Sequence, residues 1–307
     1  MTEQSESIGD APTEPTARVP VFHGTRRSLA ERIIQEGFGH LSVTEQLQQV
    51  ASQYSIALGV LKEHLAANGR FVSTDDRAGT VSFAPLRLKA GSWANRAPEA
   101  TWEALWSVYR IRHPELGHYW NQSNEGHLWV TAQQLDDPPV VITVLARLGE
   151  LYPGSQDLTF PATATSAWDM LLEMVESGAT SEEILDLCES HPEWRARTDA
   201  HLEVTDVEEV PVRVDGALAC FMSGQSPETF GSQVKDGSWG PEPTEHPMGK
   251  VLGGVWFTFD QIWQRLPENR RAELSLIAEV PIDEILLARL DSPPRRERER
   301  ANSTPDP

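Results

Sequence analysis

The sequence predicts an α+β protein, in which short strands form antiparallel sheets and helices pack against them. Segments rich in β-branched residues, such as 140–146, are interspersed with segments whose apolar residues recur every three or four positions. Three helical segments begin with Ser or Thr followed three residues later by Glu, at Ser28, Ser42 and Thr180. Two predicted helices lie close together, at about residues 164–197, and we interpret them as a helical insertion in an otherwise β-rich body.

Taken in order, the chain begins with a strand that ends at residues 22–25 and a short helix that Gly37 is suited to end. A longer helix follows Ser42, with an apolar face that continues almost to Gly69. Further strands are predicted at 71–74, 80–84, 127–131 and 140–146, and a further helix at 98–113.

The composition of the two ends and of one internal stretch predicts the domain boundaries. Residues 1–17 and 292–307 are rich in Pro and in polar or charged residues, and we expect both to be disordered tails. Residues 18–223 then form one domain, and residues 224–250, rich in Gly, Pro and Ser, form a linker or long loop. Residues 251–291 are a C-terminal β/α segment, which is either part of the same sheet or half of a degenerate duplicate.

The charge balance argues against some classes of partner. The 307 residues carry a formal net charge of -20, so we expect no general binding to duplex DNA, whose affinity for proteins depends on Lys and Arg. The sequence has no signal-peptide pattern and no run of about 18 apolar residues, so we expect no membrane partner. Its two cysteines, Cys188 and Cys220, favour a reducing, cytoplasmic location.

Two segments and a repeated pattern carry the candidate chemistry. The first segment, FHGT at residues 22–25, places His23 at the end of a strand beside Gly24, which can present an imidazole and a bare backbone to a ligand. The second segment, TVSFAPLRLKAGSWA, spans residues 80–94. The repeated pattern, HLEVTDVEEVP at 201–211 and RAELSLIAEVP at 271–281, places a Glu seven residues before Val-Pro, at Glu203 and Glu273.

Taken in this order, the segments resemble the ADP-ribosyltransferase superfamily. The first motif of that superfamily is a strand-end His-Gly-Thr or His-Gly-Ser, the second is a strand followed by a helix with an alanine and an aromatic residue, and the third is a Glu at the start of a late strand. The resemblance implies a split antiparallel β-sheet core and NAD as the substrate, with ADP-ribose transferred to an acceptor and nicotinamide released. The acceptor could be a protein, a nucleic acid or a small molecule, and the biological role could be that of a toxin or a regulator.

The resemblance assigns roles to the first segment. His23 would hydrogen-bond the hydroxyls of the adenosine-side ribose, and the backbone of Gly24 would pair with the nicotinamide amide. Thr25 would add a hydroxyl donor. Arg26 or Arg27 would contact the pyrophosphate, the most anionic part of NAD.

The resemblance also assigns roles to the later segments. Ser82 stands where some members have a tyrosine that stacks on nicotinamide and others have a serine that supports the catalytic Glu, so Phe83 or Trp93 would supply the aromatic wall. Breaking the bond between nicotinamide and ribose makes the ribose cation-like, and a nearby carboxylate stabilises it. Glu203 or Glu273 would supply this carboxylate, and the order of the motifs favours Glu203.

Other classes of function stay open at this point. The chain could be a catalytically inactive member of the same fold, or an unrelated interaction protein whose acidic surface meets a basic partner. An NAD-dependent RNA 2′-phosphotransferase shares the fold, but the net charge of -20 argues against it. A metal site is disfavoured because His113, His118 and His127 have no carboxylate or cysteine at ligand spacing.

Overall fold

The computed structural model describes residues 18–38, 43–67, 79–116, 123–153, 173–174, 176–180, 183, 193–240, 244–245 and 255–290, and every structural statement refers to these residues. The first part of the chain contains β1 (Arg18–Arg26), α1 (Arg27–Glu36), α2 (Val43–Gln53), α3 (Leu58–Ala67), β2 (Thr80–Phe83), α4 (Arg87–Ala94), α5 (Glu99–Arg112), α6 (Asn124–Ala132), β3 (Pro139–Arg147), β4 (Tyr152–Pro153), β5 (Trp194–Arg197) and β6 (Leu202–Glu209). The later part contains β7 (Arg213–Asp215), α7 (Gly216–Ser223), α8 (Pro227–Lys235), β8 (Thr244–Glu245), β9 (Val255–Thr258), α9 (Phe259–Trp263), α10 (Glu268–Ala278) and α11 (Ile282–Leu290). The two predicted tails, the predicted strand at 71–74, the predicted helix start at Ser42 and most of the predicted insertion at about 164–197 lie outside the described residues.

The strands form three small antiparallel sheets. Sheet A has the order β1-β3-β6, sheet B the order β2-β5-β4, and sheet C the order β7-β9-β8. Helices and small antiparallel sheets together confirm the predicted α+β class. The strand of the C-terminal segment, β9, belongs to sheet C, which it shares with β7 and β8 rather than with the strands of sheet A.

Sheets A and B meet at a bridge and then separate. Phe22 of β1 and Ala84, directly after β2, exchange two backbone hydrogen bonds of 2.9 and 2.7 Å. An uninterrupted antiparallel ladder would next pair Ser82 with Gly24, but the bridge between Phe22 and Ala84 is isolated and no such pair forms. Among the described residues, the edge of β1 therefore has no strand partner at Gly24.

The two faces of sheet A are covered by different helices. Side chains alternate between the faces of a strand, and residues directly opposite in an antiparallel pair share a face. His23 shares its face with Ile142, and α1 packs on that side through Ala30. Gly24 lies on the other face, where α4 packs through Ala90.

Several locally predicted elements are confirmed. The predictions at 80–84, 98–113 and 140–146 correspond to β2, α5 and β3. Gly37 ends α1 with a φ of 80°, and its N–H donates to the Ile33 carbonyl at 2.9 Å. At the predicted cap of the second insertion helix, the Glu183 carboxylate accepts from the Thr180 N–H at 2.7 Å, and the Glu183 N–H donates to the Thr180 hydroxyl at 3.3 Å.

The predicted capping box at Ser28 is wrong. α1 begins at Arg27 without a side-chain cap from its own first turn. The Asp137 carboxylate instead accepts from the Ser28 N–H at 2.9 Å and from the Ser28 hydroxyl at 2.6 Å. A carboxylate from the turn before β3 therefore stabilises this helix N-terminus.

Two segments have the opposite type of secondary structure from the one predicted. Residues 127–131, predicted as a strand, lie in α6, whose apolar residues are buried on opposite sides, Leu128 in one core cluster and Trp129 in another. A helix buried on both sides has a continuous apolar run and loses its helical periodicity in sequence. Residues 194–197, predicted within the helical insertion, form β5, because Trp194 and Ala196 alternate into the core between sheets A and B.

Two further boundaries differ from the prediction. The long helix predicted after Ser42 is divided into α2 and α3, and Ser55 between them has a φ of 55°. The stretch 224–250, predicted as a linker or loop, contains α8 and β8. The Ser226 hydroxyl caps α8 by accepting from the Thr229 N–H at 3.2 Å. Within the described part of the chain, no helix has the length and apolar character to cross a bilayer.

His127 on α6 should make the folding stability depend on pH. Its ring is packed between Trp102 and Trp106, and burial lowers its pKa, with Asp215 opposing and Arg96 reinforcing the shift. Because the unfolded chain binds the proton more tightly, stability falls as the pH drops below about 6.5 and levels off below the folded-state pKa. We expect His127→Gln to reduce the loss of stability between about pH 7.5 and about pH 5.5 in urea titrations. An unchanged loss would contradict this account of His127.

Candidate functional site

His23 is tied to β2 across the gap between sheets A and B. Its Nδ1 lies 2.8 Å from the carbonyl oxygen of Ser82. Because a carbonyl oxygen only accepts, Nδ1 carries the hydrogen, and Nε2 is then the acceptor nitrogen of the neutral ring. The ring also meets Phe38 and Phe83 edge-on, at centroid separations of 5.6 and 5.9 Å. These contacts define both the orientation and the tautomer of the imidazole.

The side chain of Ser82 leads to a carboxylate that the sequence analysis missed. The Ser82 hydroxyl donates to Glu193 Oε1 at 2.7 Å. Glu193 immediately precedes β5, which pairs with β2 so that Trp194 lies opposite Phe83. His23, Ser82 and Glu193 therefore form one hydrogen-bonded series where the two sheets separate.

A sequence signal for Glu193 does exist. In HPEWRAR, residues 191–197, Pro192 is followed by Glu193 and then by an alternating strand-like run. A Glu between a Pro and such a run lies at the start of a late strand, which is the position expected of the third motif. The prediction of helix through residue 197 concealed it.

Gly24 is required by the close approach of α4. A Cβ atom at this position would lie 2.0 Å from the Ala90 carbonyl oxygen and 2.8 Å from the Ala94 nitrogen. The backbone N–H and C=O of successive strand residues point to alternate edges, and those of Phe22 point to the Ala84 bridge. Those of Gly24 therefore point to the same edge, next to the point where β2 turns away.

Replacing Gly24 with alanine should destabilise the fold by about 3 kcal/mol, because the new methyl group would collide with helix backbone that cannot rotate away. Gly91→Ala, on α4 itself, is the matched control, since a Cβ atom at Gly91 would meet nothing closer than 3.9 Å. We expect that control to stay within about 1 kcal/mol of the wild type. Equal stability of the two variants in urea titrations would show that α4 does not need glycine at position 24.

The two aromatic residues expected to form a wall lie on opposite sides of β1. Phe83 is fully buried, and its ring contacts Phe38 at 5.5 Å as well as His23. Trp93 is half-buried on α4, in the cluster that contains Phe22 and Ala90. Of the two, only Trp93 is partly exposed, so it is the better placed to contact a ligand.

A cavity of about 780 Å³ lies between α1 and β6, on the face of sheet A that carries His23. Phe38, which contacts the His23 ring, is one of its walls. Arg27 and Glu209 lie at one end, and the remaining walls are mainly apolar, including Ala30, Ile33, Ala200, Leu202, Val204 and Val207. Its volume is typical of a small-molecule site.

Arg26 is a structural residue rather than a free phosphate ligand. Its guanidinium is buried and donates to backbone carbonyls of Asn95, Ala97, Gln134 and Asp137, and to Gln134 Oε1 at 2.6 Å. Burial lowers its pKa to about 10, so it stays charged at neutral pH. These five hydrogen bonds leave Arg26 unable to contact a pyrophosphate.

Of the two sequence neighbours of Arg26, Arg27 is partly exposed and Thr25 is buried. Arg27 is half-buried and forms an ion pair with Glu209, which Arg289 of α11 also contacts at 2.9 Å. Thr25 is buried beneath α1, opposite Val140. Arg27 is therefore the member of this segment that lines the cavity, whereas Thr25 is part of the core.

Glu203 lies far from the series of His23, Ser82 and Glu193. In sheet A, Glu203 pairs with Leu145 of β3, whereas His23 pairs with Ile142, three positions away on the same strand. Because three is an odd number, the side chains of Glu203 and His23 lie on opposite faces of the sheet. Three residues and two strand spacings correspond to a separation of about 14 Å. Its carboxylate is exposed and forms an ion pair with Arg18. The structure therefore does not bring Glu203 and His23 together.

Glu273 lies on a helix, so the prediction that it starts a strand is wrong. It belongs to α10, where its exposed carboxylate pairs with Arg270 at 2.6 Å. The surrounding Arg, Ala, Glu and Leu residues are strong helix formers, and Leu274 and Ala278 point into the core at helical spacing. The near-repeat with residues 201–211 is therefore a likeness of sequence and not of structure.

Among the described residues, the site combines an oriented imidazole, a strand edge without a strand partner at Gly24 and a carboxylate held by a serine. Among the described residues, no group of three or more His, Cys, Asp or Glu side chains could hold a metal ion. Comparisons with family models, with curated proteins and with solved structures returned no match to this chain. The geometry of the site is therefore the observation that bears on its function.

Proposed function

We propose that this protein is an NAD-dependent ADP-ribosyltransferase, with Glu193 as its catalytic carboxylate. The observation that carries the proposal is the hydrogen-bonded series from His23 through Ser82 to Glu193, placed where sheets A and B separate. It joins the His-Gly strand end, the second-segment strand and a Glu at the start of a late strand in one place. These are the parts that the resemblance to the superfamily requires.

In this reaction, the bond between the nicotinamide nitrogen and the ribose carbon breaks, and its electron pair leaves with nicotinamide. The ribose becomes cation-like, and the Glu193 carboxylate stabilises that charge. A nucleophilic atom of the acceptor bonds to the ribose carbon and loses its proton to solvent. When water takes the place of the acceptor, the products are free ADP-ribose and nicotinamide.

The other residues would hold the two halves of NAD. The Gly24 backbone at the open edge of β1 would pair with the nicotinamide amide, and Trp93 would contact the ring. His23 would hydrogen-bond the adenosine-side ribose, next to the cavity that Phe38 lines. Arg27 is the remaining candidate for the pyrophosphate, because Arg26 is fully engaged.

Labelled NAD tests the turnover that this proposal predicts, and the melting temperature of the protein with and without NAD tests binding. We expect the wild-type protein to release nicotinamide, to transfer label to a component of a cell lysate, and to melt at a higher temperature with NAD than without it. His23→Ala should weaken the rise in melting temperature. A wild-type protein with no nicotinamide release, no transfer and no NAD-dependent melting would exclude the enzyme, and an NAD-dependent melting shift without turnover would indicate an inactive member of the fold.

A further inference from the structure

Arg195 is a buried arginine directly behind the candidate catalytic carboxylate. It lies in β5 opposite Ser82, and only 2% of its surface is exposed. Its Nε donates to Glu193 Oε1 at 2.9 Å. Removing the guanidinium from water is unfavourable even when a carboxylate partly offsets the cost, so burial of this arginine lowers the stability that an apolar residue could give here.

Both donors to Glu193 reach the same oxygen. Ser82 Oγ lies 2.7 Å and Arg195 Nε 2.9 Å from Oε1. Two donors on one oxygen fix the rotation of the carboxylate group. Among the described residues, no donor reaches Oε2, so Oε2 is the oxygen available to a ligand.

The guanidinium of Arg195 is only partly used. Nη2 is buried and has no hydrogen-bond partner. Nε and Nη2 form one edge of the guanidinium, a fork that matches the two oxygens of a carboxylate. A buried donor without a partner costs about 1–3 kcal/mol, and such exceptions in a native fold call for a functional explanation. With Nε on Oε1 and Nη2 without a partner, the guanidinium holds Glu193 in one orientation and does not form the pair with two hydrogen bonds, which would be more stable.

We propose that Arg195 is a positioning residue, which holds Glu193 so that Oε2 faces the ribose of NAD. The inference rests on the proposed function, and it adds a requirement for the Nε donor rather than for positive charge alone. A lysine would keep the charge but would lack the rigidly held Nε–H donor, so it would not fix the carboxylate in the same rotation.

The test compares Arg195→Lys with a matched control on the same strand. Arg197 is exposed and pairs with Asp199 at 2.9 Å, so Arg197→Lys changes an arginine of β5 that does not contact Glu193. We expect Arg195→Lys to lower kcat for nicotinamide release by about 10²-fold, with KM for NAD and the NAD-dependent melting shift within about threefold of the wild type. Arg197→Lys should match the wild type within about twofold.

A second comparison separates positioning from a structural role. If Arg195 acts through Glu193, Arg195→Lys should cause no further loss of kcat when it is added to Glu193→Gln. An additional loss in that background, or a kcat for Arg195→Lys equal to that of the wild type, would overturn the proposal while leaving the enzyme intact. A wild-type protein that neither binds nor consumes NAD would overturn both the proposed function and this inference.

Discussion

Replacing Glu193 with glutamine should lower kcat for nicotinamide release by about 10²–10³-fold, the effect expected when one stabilising group of a charged transition state is lost. Glutamine keeps the size of the side chain and an acceptor oxygen for Ser82 Oγ, so the local packing should survive. The NAD-dependent melting shift should therefore stay close to that of the wild type, which places the loss in the chemical step.

Two matched controls accompany this variant. Glu203→Gln removes an exposed carboxylate that pairs with Arg18, and Glu273→Gln removes an exposed carboxylate on α10. We expect both to retain kcat within about twofold, because neither side chain lies near His23. A large loss in Glu203→Gln with normal activity in Glu193→Gln would transfer the catalytic role to β6 and refute our assignment.

Replacing Arg26 with methionine should destabilise the fold by about 4 kcal/mol. The variant removes five hydrogen bonds from a buried cation and leaves backbone carbonyls at the end of α4 and before β3 without a donor. The free energy of unfolding from urea titrations measures this effect.

Arg32→Met is the control for the loss of an arginine. Arg32 is an exposed residue of α1 that pairs with Glu36 one turn away at 2.8 Å, and such pairs contribute about 0.5 kcal/mol or less. If Arg26→Met lost less than about 1 kcal/mol, the guanidinium would not be the structural centre that its contacts indicate.

The parts of the fold that were predictable from sequence depend on local patterns. β3 and α5 follow from β-branched density and helical spacing, and Gly37 ends α1 where its positive φ is tolerated. Alternation along a strand also predicts which residues share a face, but it does not predict what packs against that face. Arg26 and Arg27 are adjacent in sequence, but Arg26 ends β1 and donates to the Asn95 carbonyl directly after α4, whereas Arg27 begins α1.

The candidate site itself depends on contacts that no local pattern contains. Ser82 and Glu193 are 111 positions apart, and their contact follows from the pairing of β2 with β5. Glu203 and Glu273 have the same local sequence pattern, yet one lies in a strand and the other in a helix. The motif predicted that a strand-start glutamate was needed, whereas only the sheet topology identifies which glutamate meets Ser82.

Hydrogen exchange measured by mass spectrometry, with and without NAD, tests the central claim that NAD binds where sheets A and B separate. At about 1 mM NAD, we expect slower exchange in peptides that contain Gly24, Ser82 and Glu193, because ligand contacts would protect the open edge of β1 and the neighbouring strand ends. Unchanged exchange throughout the chain, or protection confined to residues 213–290, would contradict the account.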